Sequence, residues 1–134
     1  MRKYNSPLTY PPKIPKVLSG ECTQTFRMKR RFKLGDLVSF HGWSGKPYRS
    51  PWSFRTKYFE IDYVNNIQIV PDGLMFDSCT NPGETYCIPW RMCGAWAHLD
   101  CIDPPTGEEL GRVLLSMHKI PAEGSPAQII RWIP

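Results

Sequence analysis

Fourteen prolines are spread along a chain of 134 residues. Each fixes φ near −65° and removes an amide donor, so it breaks a helix interior and fits a sheet only at edges and bulges. Punctuation of this density favours short strands and structured loops over long helices. The length suits one domain, since domains usually run to ~100–150 residues. Such a chain buries roughly two-thirds of the surface it exposes when unfolded. With 41% hydrophobic and 22% charged residues, the composition excludes a disordered or fibrous chain. No apolar run approaches the ~18–20 residues of a membrane span. The basic N-terminus MRKYNSPLTYPP has no apolar h-region, so no signal peptide is expected and the expected address is the cytoplasm.

Residues 1–13 hold three prolines, two tyrosines and three basic residues, which predicts an irregular arm ahead of a single domain over 14–134. Pro15 to Gly20 reads as one or two helical turns, with Pro in the first turn and Gly as the left-handed stop. Strands are predicted over 21–27, 37–41 and 54–64, with 67–70 continuing or pairing with the third. Residues 42–53 form a long loop of Gly, Ser, Pro, Trp and Tyr. Residues 74–100 carry no clear period beyond a short helix near Trp90–His98. Thr106 and Glu109 make a capping-box pattern that opens a helix to about His118, with Leu110, Val113, Leu114 and Met117 on one face. His118 and Lys119 place positive charge at its C-terminal end, where it suits the dipole. Residues 127–133 are a final strand. The expectation is an α+β fold: a small mixed barrel with a short early helix and a longer one before the last strand.

The net charge of +5 is unevenly distributed. Residues 1–60 carry thirteen Lys/Arg against three Asp/Glu, and residues 61–134 carry four against nine. The first half therefore suits a polyanionic partner. Lys29, Arg30, Arg31 and Lys33 would neutralise several phosphates, or form a solvated hairpin loop. Trp43, Tyr48 and Trp52 stand beside Lys46 and Arg49, where rings would stack on unpaired bases or pin the loop to the domain. Arg55 and Lys57 flank Thr56 and would face one side of a strand. Arg27 would join them in a positive groove, or pair with Glu60 or Asp36. Glu60 is a candidate general base. Trp90, Trp96 and Trp132 read as packing residues.

The cysteines are Cys22, Cys79, Cys87, Cys93 and Cys101, an odd number without a C-x2–4-C knuckle. A disulfide framework is not expected, and small buried thiols outweigh a zinc site. No metal or cofactor is expected.

The segment Lys16-Val17-Leu18-Ser19-Gly20-Glu21-Cys22-Thr23-Gln24-Thr25-Phe26-Arg27 resembles the opening motif of ASCH domains. That motif has a Gly, a variable residue, a Lys, four variable residues and an Arg, often with Thr-x-Thr between. Leu34-Gly35-Asp36 is similar to the family's Gly-Asp turn, and Arg55-Thr56-Lys57 to a stretch before a strand. Leu99-Asp100-Cys101-Ile102, a helix and Gln128-Ile129-Ile130-Arg131-Trp132 follow in the family's order, so the resemblance runs over residues 14–133. It implies a barrel like that of pseudouridine-synthase-and-archaeosine-transglycosylase (PUA) domains, with a groove thought to bind RNA. Some bacterial members remove acetyl from N4-acetylcytidine with the motif's Lys and Thr and a later Glu. Others have been associated with ribonuclease activity. Cys22 stands where the family has Lys, while Thr25 and Arg27 are kept. A thiol lacks the ammonium's charge and would act as a nucleophile only if ionised beside a base such as His41 or His98. Burial as an inert thiol is the simpler expectation.

The reading that follows is a module binding RNA or a modified nucleotide. Lys16, Thr23, Thr25, Arg27, Lys46, Arg49, Arg55, Lys57, Trp43 and Tyr48 would line its interface. The alternatives are an enzyme acting on a modified nucleoside or an RNA phosphodiester, with Thr25, Cys22 or Glu60 involved, and a phage or mobile-element factor gripping an acidic host protein.

Overall fold

The strand predicted over residues 54–64 divides at Thr56 in the computed structural model, which describes residues 1–43, 46, 49–78 and 80–134. The first part belongs to β4 (Trp52–Arg55), and the second joins the 67–70 run as β5 (Phe59–Val70). The Thr56 hydroxyl accepts from the Phe40 amide at 2.9 Å and donates to the Lys57 carbonyl at 2.8 Å. Its own carbonyl accepts from Ser39 Oγ at 2.7 Å. Side-chain bonds of this kind compete with the ladder and turn the chain out of it.

β5 is the spine of one eight-stranded sheet in an α+β fold, and it pairs antiparallel along its length with β8 (Ser125–Ile133). A bulge between Ile61 and Tyr63 lets one residue of β5 go unmatched. One extra residue moves the following side chains to the opposite face of the sheet. Phe59 and Ile61 therefore enter one core with Ile130 and Trp132, while Ile67 and Ile69 enter another with Ala127 and Ile129. Both faces of the sheet are consequently covered. The first core is closed by Val17 of α1 (Ile14–Ser19) and by Val38 and Phe40 of β3 (Leu37–Trp43). The second is closed by Ala97 of α2 (Gly94–Leu99) and Leu110, Val113 and Leu114 of α3 (Gly107–Met117).

The N-terminal residues are more ordered than their composition predicts. Lys3–Pro7 form β1, parallel to β3 in the register Lys3 with Leu37 through Pro7 with His41. β2 (Gln24–Met28) pairs with the free edge of β8. No ladder joins β1 to β2 among the described residues, so the sheet is open where a barrel was expected. Instead the Arg27 guanidinium on β2 donates to the Pro7 carbonyl at the end of β1, at 2.8 Å.

Residues 74–100 resolve into β6 (Gly73–Asp77), β7 (Thr85–Pro89), a 3-10 turn at Trp90–Met92, and α2; Cys79 lies outside the described residues. β6 and β7 form an edge hairpin on β5. α3 begins as its sequence predicts, with Thr106 Oγ1 accepting from the Glu109 amide at 3.1 Å. Met117 departs from the expected apolar face and is exposed. Gly111 seats Trp90 against α3: a Cβ there would lie 2.6 Å from the indole ring. α1 ends, as expected, on Gly20 in the left-handed region.

Candidate functional site

Thr25 and Arg27 lie two apart on β2 and so share a face of the sheet. The Pro11–Lys13 turn delivers Lys13 to the same place, where its side chain is only 4% exposed. Lys13 Nζ stands 3.1 Å from Thr25 Oγ1 and 2.8 Å from Asp100 Oδ2. Asp100 follows the last turn of α2 and is buried, and its Oδ1 has no partner. Burial pushes the Asp100 carboxyl above the usual carboxylate range, against the pull of Lys13 and Arg27. Arg27 is brought down to about 10, by burial first, with Asp100 opposing the shift and Arg31 adding to it. Its Nε is buried without a partner, and its terminal nitrogens donate to the Phe26 and Pro7 carbonyls. These groups line a cavity of about 40 Å³ whose rim includes the exposed Thr9 and Met117. His118 lines it too, held below its ordinary pKa by burial and then by Arg27. The last turn of α3 thus meets a neutral imidazole at neutral pH, not the cation expected there.

This centre holds one group that the sequence reading did not offer and departs from two of its alternatives. The ammonium beside Thr25 is that of Lys13, from a turn ahead of the motif. The carboxylate is Asp100, while Glu60 is exposed on β5. Arg27 pairs with neither Glu60 nor Asp36; the Asp36 carboxylate accepts from the backbone amides of Arg2 and Lys33. Cys22 is fully buried, and desolvation pushes its thiol up to about 12, with Lys13 opposing. Its S–H donates to the Gln24 carbonyl at 3.4 Å. A thiol so protonated is not a nucleophile at neutral pH. The signals missed were a lysine behind two prolines and an aspartate inside the Leu99–Ile102 block. Neither has a local period that marks it.

A second cluster occupies the β3–β4 hairpin. His41 pairs with Arg55 and Trp43 with Trp52, and a bulge between the Gly42–Phe54 and Trp43–Trp52 pairs leaves Ser53 unmatched and brings Trp52 to the face of Arg55, so four chemistry-bearing side chains share one face. On the other face Phe54 packs over Gly42, where a Cβ would lie 2.4 Å from the ring. The His41 imidazole stacks on Trp52 at 4.1 Å and meets Trp43 edge-on at 4.9 Å. Arg55 lies 5.3 Å from the Trp52 ring centre and donates to the Tyr58 hydroxyl at 3.2 Å. Burial holds His41 below its ordinary pKa, and the charges of Arg55 and then Arg27 push it lower. Lys46 and Arg49 are exposed in the connecting loop, where the Arg49 amide donates to the Lys46 carbonyl. Tyr48 lies outside the described residues.

The predicted groove of Arg27, Arg55 and Lys57 is therefore only partly assembled. Arg27 and Arg55 both act on His41, but the break at Thr56 sends Lys57 to a different concavity beside α1. Lys16 and Thr23 line a third, of about 470 Å³, with Arg131. In the basic run, Arg30 donates to the Ile67 carbonyl and Arg31 lies over the rings of Tyr4 and Phe32, which ties both to the fold. Among the described residues the ion pairs are Lys13–Asp100 and Arg112–Glu109. Lys13 is thus the cation of the first sixty residues that has an ion-pair partner among the described residues.

Among known proteins, no family model, no curated protein and no solved structure matches this chain.

Proposed function

We propose that this chain is a nucleic-acid-binding module that takes single-stranded RNA or a modified nucleotide on the β3–β4 face. The observation that carries the reading is the shared face of His41, Trp43, Trp52 and Arg55, where the charges of Arg55 and Arg27 act on the imidazole. Trp52 is 42% exposed and offers a ring to an unpaired base. Stacking of this kind contributes about 1–3 kcal/mol per base. Arg55, Lys46 and Arg49 supply the charge that a phosphate backbone requires. The resemblance to ASCH domains, with their PUA-like barrel, belongs to the same proposal. Fluorescence anisotropy with a labelled single-stranded RNA tests it. Affinity should drop steeply between low and moderate salt, and Trp52→Ala or Arg55→Ala should each weaken binding about tenfold. Binding that ignores salt, or that survives both substitutions unchanged, rejects the reading.

The Lys13–Thr25–Asp100 contacts favour a second reading, an amidohydrolase acting on a modified nucleoside. The resemblance assigns catalysis to a Lys, a Thr and a carboxylate; here Thr25 stands at the motif position, and Lys13 and Asp100 supply the other two groups from elsewhere in the chain. An ammonium at 3.1 Å favours the ionised form of the Thr25 hydroxyl. Incubation with N4-acetylcytidine should then release acetate, and Thr25→Ala should abolish the release. An unchanged substrate pool would dismiss this reading.

A further inference from the structure

Gln24 and Arg131 are cross-strand partners in the β2–β8 ladder, on the α2 side of the sheet and on the opposite face from Thr25. Gln24 is 1% exposed, and its Oε1 accepts from Arg131 Nε at 2.9 Å. The guanidinium is fixed further by the Tyr63 ring, whose centre lies 4.5 Å away. One edge of the fork is thereby committed, and the two terminal nitrogens remain for a ligand. Arg131 lines the 470 Å³ concavity together with Lys16, Thr23, Glu21 and Asp103. Neither Lys16 nor Arg131 is ion-paired, and neither carboxylate is matched to a cation, among the described residues.

A pre-oriented guanidinium that shares a concavity with a lysine lacking an ion pair suits a phosphate, which a fork grips through two oxygens. Two unmatched carboxylates in the same concavity call for neutral donors, and a ribose diol supplies two. The volume is that of a small-molecule site, about 300–1,000 Å³. We infer that this concavity is a ribonucleotide site: Arg131 and Lys16 hold the phosphate, and Glu21 and Asp103 accept from the sugar hydroxyls. The site lies apart from the β3–β4 face and goes beyond the function proposed above. Its ligand is a free ribonucleoside monophosphate or the terminal nucleotide of an RNA, since both present the same chemistry.

Calorimetric titration of the full chain with cytidine and adenosine 5′-monophosphates tests the site. The ribonucleotides should bind, and the 2′-deoxy forms and unphosphorylated nucleosides should each bind several-fold more weakly. Arg131→Ala and Lys16→Ala should weaken binding about tenfold. Arg131→Lys, which keeps the charge and loses the fork, should recover only part of it. Glu21→Gln with Asp103→Asn should bring the ribonucleotides and their 2′-deoxy forms to similar affinity. Displacement of the mononucleotide by a 5′-phosphorylated RNA tetramer assigns the site to an RNA end, and lack of displacement assigns it to the free nucleotide. Absence of monophosphate binding, equal affinity for ribose and deoxyribose, or indifference to both Arg131→Ala and Lys16→Ala overturns the inference. Salt-dependent RNA binding that persists beside such a result leaves the β3–β4 face standing. Loss of RNA binding with the mononucleotide still bound does the reverse.

Discussion

Lys13 and Asp100 are separated by 87 residues of chain and by 2.8 Å in space, and both side chains are at most 5% exposed. The pair ties the turn ahead of α1 to the end of α2, and through Thr25 it ties both to β2. Removing one partner of a buried pair leaves an uncompensated charge, whereas removing both does not. Lys13→Met or Asp100→Leu alone should therefore destabilise the fold by about 3–5 kcal/mol, and the double substitution should recover most of that. Urea unfolding of the three variants measures it. A double variant no more stable than the worse single one would show that the pair is not coupled as described.

His41 and His118 both sit below their ordinary pKa of 6.5, chiefly through burial and then through neighbouring guanidinium charge. The unfolded chain therefore binds more protons than the folded one between the folded values and 6.5. Their stabilising contribution is full above 6.5 and is lost as pH falls through the lower folded values. Unfolding free energy should decline as pH drops from 7.5 to 5.5, and the decline should be shallower in His41→Gln and His118→Gln. A flat profile in the parent chain, or an unaltered slope in both variants, contradicts the burial assigned to these rings.

Burial raises the thiols of Cys22 and Cys93 to about 12 and about 11, while Cys87 is exposed on the β7 edge. At pH 8 an alkylating reagent should modify Cys87 rapidly in the folded protein. Cys22 and Cys93 should react only after denaturant is added, as peptide mass mapping would reveal. Rapid native-state modification of Cys22 would revive the nucleophile that its burial dismisses.

Much of the fold was legible because it is encoded locally. The Thr106 cap, the apolar spacing of α3, the glycine stop of α1 and the strand-forming runs of β3 and β8 each depend on neighbours within a few residues. The parallel placement of β1 was not legible, since its partner begins 34 residues later and sets the pairing. The face reversal in β5 was equally hidden, because the bulge is defined by β8 and not by β5 itself. Of the candidate site, Thr25 and Arg27 were named as interface residues from the motif on β2. The separation of Lys57 from Arg55 did not, because the Thr56 hydroxyl takes up an amide of β3.

By itself the sequence determined the α+β character, the caps and stops, and the excess of positive charge in the first sixty residues. Tertiary structure alone decided that Lys13 and Asp100 would meet Thr25 and that Arg131 would be held by Gln24 and Tyr63. The reason is one of range. Capping and periodicity act over three or four residues, whereas burial and pairing of charge depend on what the rest of the chain brings alongside.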